Sequence, residues 1–259
     1  MPMIDADGCP INVQIDGRDD APVLMLSNSL GTNLHMWDQQ VPEFAKYFRV
    51  VRYDRRGHGK SGVPKGPYTM ERLGRDVIAI LDALKIKKTN WCGLSMGGMV
   101  GQWLGANAPD RVEKLVLSNT NCYYADKAPW ADRIKTVREN GLASIVAGNM
   151  ERWFTKGFRE RSPEKMKEFT DNFLKTDVEG YTGCVGAISA MDHRSLLPQI
   201  KAPTLIIAGQ HDPATTVAQA EYLRDNIPGA KLVVLDAAHI SNVEQSALYT
   251  KTVLDFLRG

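Results

Sequence analysis

The sequence predicts an α/β chain: a mostly parallel sheet flanked by helices, with an inserted helical cap. Three observations carry that expectation. Short apolar runs alternate with segments of helical apolar spacing, the pattern of a parallel sheet covered on its faces. The alternation stops between residues 121 and 197, where only amphipathic helical pieces follow one another. It then resumes toward the end of the chain.

Taken in order, an edge strand is expected at 11–15 and buried strands at 22–26 and 48–53. A helix over 69–84 follows, with Leu73, Val77, Ile80, Leu81 and Leu84 at helical spacing and Asp76 and Asp82 facing outward. Strand 89–93, helix 97–106 and strand 112–117 complete this half. The interruption holds helical pieces at 130–140, 142–154, 163–175 and 181–191, punctuated by Pro129, Gly141, Gly157 and Pro163. Strand 203–208, helix 217–227, strand 231–235 and helix 241–257 close the chain. The expected division is therefore a core of residues 1–120 and 198–259, with residues 121–197 as a cap over the carboxyl edge of the sheet.

The bulk properties narrow the function. A chain of 259 residues with 43% hydrophobic and 24% charged content suits one core plus a small insertion. A net charge of +2 gives no reason to expect a nucleic-acid or membrane-surface partner. The N-terminal residues lack the basic and apolar regions of a secretory signal, and no stretch reaches the roughly 18 apolar residues of a membrane span. Cys9, Cys92, Cys122 and Cys184 form no C-x-x-C pair, so neither a zinc site nor a disulfide framework is expected. Reduced thiols in a cytoplasmic protein are the simple expectation.

The chemistry centres on Gly93-Leu94-Ser95-Met96-Gly97-Gly98, a G-x-S-x-G nucleophile elbow between an expected strand and an expected helix. Such a serine sits on a sharp, strained turn that lifts its hydroxyl out of the sheet, and glycines leave room for the neighbouring strands. The helix that follows points its N–H groups and positive dipole end at the reacting carbonyl. Glycine-rich turns with a serine occur in many α/β proteins; the strand–helix context and the order of partners set this one apart.

A serine hydroxyl needs a general base. Of the five histidines, His239 follows the last expected strand, where the chain order Ser…Asp…His puts the base. His35 and His193 read as structural residues, and His58 as part of the site wall. The acid that orients the imidazole is assigned to Asp212, at the turn after strand 203–208. Asp236 lies only three residues before His239 on the same strand exit, an awkward reach. The other position for an acid, after strand 112–117, reads Ser118-Asn119-Thr120-Asn121 and holds no carboxylate. The backbone N–H of Met96, the residue after the nucleophile, is the first oxyanion donor, and the second comes from the loop Ser27-Asn28-Ser29-Leu30-Gly31-Thr32.

Taken together, that loop with Trp37, the segment Asp54-Arg55-Arg56-Gly57-His58-Gly59-Lys60-Ser61, the elbow, Gly209-Gln210-His211-Asp212 and Ala237-Ala238-His239 resemble an α/β-hydrolase over almost the whole chain. The Ser-Asn-Ser-Leu-Gly loop and Arg152-Trp153-Phe154-Thr155 resemble in particular the 3-oxoadipate enol-lactonases of bacterial aromatic-compound breakdown. Many α/β-hydrolases carry His-Gly-x-x in the loop; aligned on that motif, Ser29 supplies the second oxyanion N–H, with Leu30 the neighbouring alternative. Some relatives are fused to a carboxymuconolactone decarboxylase, a domain not expected in a chain ending at Gly259.

The resemblance implies a small lactone substrate with a carboxylate arm, opened through an acyl-enzyme on Ser95 without metal or organic cofactor. The sequence adds one hint of an acidic substrate: residues 127–167 hold ten Lys/Arg against five Asp/Glu. Arg133 is the candidate for the carboxylate, Arg152 the second, and Trp130 and Trp153 the apolar walls, although charges on such helices commonly just face water. Another carboxylesterase or a carbon–carbon bond hydrolase of the same fold, or a ligand sensor retaining the triad, would show the same motifs. Haloalkane dehalogenases and epoxide hydrolases do not fit, since they need a carboxylate where this chain has Ser95.

Overall fold

A computed structural model describes residues 3–259. Eight strands form one sheet: β1 (Met3–Asp5), β2 (Pro10–Asp16), β3 (Val23–Ser27), β4 (Arg49–Tyr53), β5 (Thr89–Leu94), β6 (Val112–Ser118), β7 (Thr204–Gly209) and β8 (Lys231–Leu235). Their order is β1-β2-β4-β3-β5-β6-β7-β8. β1 and β2 run antiparallel at one edge, and every pairing from β4 to β8 is parallel. β5 and β7 are buried along their whole length, as strands covered on both faces must be, and Leu205-Ile206-Ile207-Ala208 of β7 reads as a continuous run rather than an alternation.

Eleven α-helices accompany the strands among the described residues. α1 (Val41–Phe44), α2 (Met70–Ala83) and α3 (Met96–Asn107) precede β6. Between β6 and β7 come α4 (Ala128–Asn140), α5 (Val146–Trp153), α6 (Lys156–Arg161), α7 (Pro163–Leu174) and α8 (Val178–Ala190). α9 (Val217–Asn226), α10 (Ser241–Glu244) and α11 (Ser246–Arg258) complete the chain. Side chains fix several starts: Thr69 caps α2, Asp177 caps α8, and Thr216 with Gln219 forms a capping box on α9. No helix is long and apolar enough to cross a membrane among the described residues.

Several expectations need correction. The strand expected at the edge, β2, is covered by β1, a three-residue strand too short to announce itself by alternation. Asp76 does not face outward. It is 1% exposed and receives both Nε and Nη2 of Arg56, at 2.6 and 2.5 Å, as well as Nε of Arg72. Periodicity on α2 cannot reveal an arginine delivered by the loop after β4, and a paired carboxylate is one that burial tolerates. The last helix is two helices, because Gln245 leaves helical geometry (φ −119°, ψ 45°). In the insertion, residues 142–144 form a single 3₁₀ turn before α5, α6 is an additional helix, and α8 begins at Val178 rather than Tyr181.

Candidate active site

β5 ends at Leu94, and Ser95 bridges it to α3 with φ 58° and ψ −116°. A positive φ on a residue with a Cβ is strained and persists only where surroundings enforce it. Here the enforcement is visible. The Ser95 N–H donates to Ser118 O (2.8 Å), while Ser95 O accepts from Met99 N–H and from the Thr120 hydroxyl. Packing around the turn admits no side chain on either flanking glycine. A Cβ on Gly93 would stand 2.2 Å from Gly97 O, and one on Gly97 2.2 Å from Ser27 O. α3 therefore starts directly against β3, which brings the Ser27–Thr32 loop alongside the serine.

The turn after β7 carries Asp212. Its Oδ1 accepts from the N–H groups of Ala214 (2.8 Å) and Thr215 (3.0 Å). Its Oδ2 accepts from the Thr215 hydroxyl (2.6 Å) and from Asn119 Nδ2 (3.0 Å), and lies 2.7 Å from His239 Nδ1. Burial alone would lift this carboxyl. His239, Thr215 and Asn119 outweigh burial and hold the pKa below its ordinary value. Ser241 in turn donates to Asn119 Oδ1. Asp236, the competing carboxylate, points elsewhere, 2.7 Å from Nε2 of the exposed His211.

Ser95 and His239 line the same cavity. Ser29 and Leu30 form its wall on the β3 side. The next N–H in that loop, of Gly31, is taken by Nε2 of His58 (3.0 Å), and Gly97 N–H is taken by Asn28 O (3.1 Å). Met96 opens α3, so its N–H has no acceptor within the helix. His58 stands behind the loop rather than in the cavity wall. Burial first, and then the Arg55 cation, push its pKa down to about 3, so it is neutral and accepts from Gly31.

The insertion supplies the opposite wall. Trp130, Arg133 and Trp153 all face the cavity, as does Arg152. Asn149 and Tyr181 join them, and neither carries any signal in the sequence. Asn149 is 2% exposed, and its Oδ1 accepts from both Arg133 Nη2 (2.8 Å) and Arg152 Nη2. Neither arginine has a carboxylate within ion-pair distance among the described residues. Burial, then the neighbouring Arg133, lower the Arg152 pKa. The remaining histidines lie apart. His35 pairs with Asp38, and His193 is buried against Gln102 with its pKa pushed down to about 4 by burial.

A sharp serine turn before a helix, a histidine–aspartate pair beyond later strands and a helical insertion between β6 and β7 together define a class of protein. The α/β-hydrolase fold family model matches residues 22–246, and the chain belongs to that family of hydrolases. Within it, the chain is 43% identical to 3-oxoadipate enol-lactonase 2 of Acinetobacter baylyi, over 96% of this chain and 93% of that one. It is 38% identical to 3-oxoadipate enol-lactonase 1 of the same organism, over 97% and 94% of the two chains. The crystal structure of the enol-lactonase from Burkholderia xenovorans superposes with a TM-score of 0.98 over the full length of both chains, at 45% identity.

Proposed function

We propose that this chain hydrolyses 3-oxoadipate enol-lactone, or a lactone of the same shape and charge, through an acyl-enzyme on Ser95. His239 takes the Ser95 proton as the hydroxyl attacks the lactone carbonyl, and Asp212 holds the imidazole and stabilises its cation. N–H groups of Met96 and Ser29 receive the developing oxyanion. Collapse breaks the ring carbon–oxygen bond. The freed enolate stays attached to the acyl group, takes the proton held by His239 at carbon and becomes a ketone, which returns His239 to its neutral form. Water, deprotonated by His239, then attacks the acyl group; Ser95 regains its proton and 3-oxoadipate departs. Trp130 and Trp153 wall the ring, and Arg133 with Arg152 meets the carboxylate arm.

The observation that carries this reading is the content of one cavity: Ser95 on its strained turn, His239 paired to Asp212, and two arginines without carboxylate partners. Similarity to enol-lactonases at 43% and 45% identity supports the choice of substrate. The test is a spectrophotometric assay of lactone disappearance beside the hydrolysis of simple aryl esters, with wild type and Ser95→Ala. Rapid lactone loss that Ser95→Ala abolishes is expected. Fast aryl-ester hydrolysis without lactone turnover would point instead to a general carboxylesterase.

A further inference from the structure

Arg55 lies directly behind the Ser27–Thr32 loop and is 2% exposed. Unlike the buried Arg56, which is clasped by Asp76, it has no carboxylate within ion-pair distance among the described residues. Its Nη2 donates to Asn28 O, and its buried Nη1 finds no acceptor. Asp54, the adjacent acid, is occupied elsewhere, accepting from Asn12 Nδ2 and from the N–H groups of Leu34 and Lys60. A buried cation without a matching anion is costly to desolvate. A fold assembled for stability alone would not retain one.

What the cation touches gives it a use. Asn28 O belongs to the same peptide unit as the N–H of Ser29, a residue that lines the cavity beside Ser95. That oxygen accepts twice, from Arg55 and from Gly97 N–H at the start of α3. Donation to a carbonyl polarises its peptide and strengthens the N–H at the other end, and in a dry surrounding a fixed charge acts over a longer range. The side chain of Asn28 is pinned as well: its Oδ1 accepts from Trp37 Nε1 (3.0 Å) and its Nδ2 donates to Tyr53 O (2.9 Å). The peptide plane is thus fixed at both its carbonyl and its side chain.

We infer that Arg55 is a positioning residue for the reaction: its buried, unpaired guanidinium orients and polarises the Asn28–Ser29 peptide and supplies positive potential behind the oxyanion. The inference rests on the reading of Ser29 as an oxyanion donor to an acyl-transfer reaction at Ser95. Because the effect falls on the oxyanion, it is independent of the substrate's carboxylate arm and applies equally to charged and neutral esters.

The test compares Arg55→Met and Arg55→Gln with wild type on the lactone and on a neutral aryl ester, alongside thermal unfolding and affinity for an arylboronic acid, an analogue of the tetrahedral intermediate. Arg55→Met is expected to lower kcat about 10- to 100-fold on both substrates with little change in KM, and to weaken boronate binding in proportion. Arg55→Gln, which keeps a donor but not the charge, is expected to fall between. Thermal stability should hold or rise, since a buried unpaired charge has been removed. Lowered stability with kcat and boronate affinity intact would show a purely structural role and overturn the inference. Should Arg55→Met fail to fold, Arg55→Gln decides alone: parallel losses of kcat and boronate affinity support the inference, and both unchanged overturn it. Loss of the underlying reading would look different, as undiminished turnover in Ser95→Ala.

Discussion

His239 Nδ1 lies 2.7 Å from Asp212 Oδ2, with the two side chains 5% and 0% exposed. Asn119 and Thr215 donate to that same oxygen, so the carboxylate is held in one orientation and the imidazole follows it. Asp212→Asn would put an N–H or a weaker acceptor opposite Nδ1 and favour the wrong tautomer. A fall in kcat of about 10³- to 10⁴-fold is expected, with the fold retained. The same pairing has a pH signature. A carboxyl held below its ordinary value stabilises the folded chain above about pH 4, and that contribution is lost as pH falls through the folded value. The stability gap between wild type and Asp212→Asn, measured by urea unfolding, should therefore narrow in acid. A gap that stays constant down to pH 3 would argue against a carboxylate stabilised by these partners.

His58 and His193 predict a second acid effect. Burial pushes them to about 3 and about 4, so the folded chain binds no proton at either while the unfolded chain binds one at each below about pH 6.5. Stability should decline as pH falls from about 6.5 toward 4 for this reason alone. Replacing His58 with Asn, which does not titrate, should flatten part of that decline. NMR titration should also show no ionisation of His58 above pH 5. An observed His58 titration near pH 6 would contradict the packing described.

Ser95 predicts a trade of stability against activity. Its φ of 58° is a geometry that glycine adopts freely and serine does not. Both Ser95→Ala and Ser95→Gly should be inactive, but Ser95→Gly should be the more stable by about 1 kcal/mol. Differential scanning calorimetry separates them. A less stable Ser95→Gly would mean that the turn is not strained.

The arginine pair predicts selectivity by charge. Arg133→Gln and Arg152→Gln should each raise KM for a lactone bearing a carboxylate about tenfold or more, a hydrogen bond to a charged group being worth about 1.5–3 kcal/mol. Neutral esters should be little affected. Steady-state kinetics on both substrates checks this, and equal losses on both would remove the carboxylate role.

The fold was legible in the sequence where local patterns are strong. The apolar runs that became β3 and β7, and the spacing of Leu73, Val77 and Ile80 on α2, follow from burial on two faces or on one. The elbow was legible because its glycines have no substitute: Gly93 and Gly97 touch backbone where a Cβ would sit. What escaped depends on partners distant in the chain. Asp76 is buried because Arg56 reaches it from another segment, and Asn149 faces the cavity only because α4 and α5 bring Arg133 and Arg152 to one oxygen. Asn119 stood in plain view at the exit of β6, but its bond to Asp212 spans 93 residues, and no spacing rule reports it.

If Ser95 is the nucleophile, an irreversible serine-directed inhibitor must bond to it and to no other residue. Wild-type enzyme is treated with an aryl phosphonofluoridate, residual lactone turnover is followed, and the labelled peptide is identified by mass spectrometry. One label per chain, on Ser95, with turnover falling in step with labelling and no label on His239→Ala, is the predicted result. Label on another residue, or lactone turnover persisting in fully labelled enzyme, would rule Ser95 out as the nucleophile.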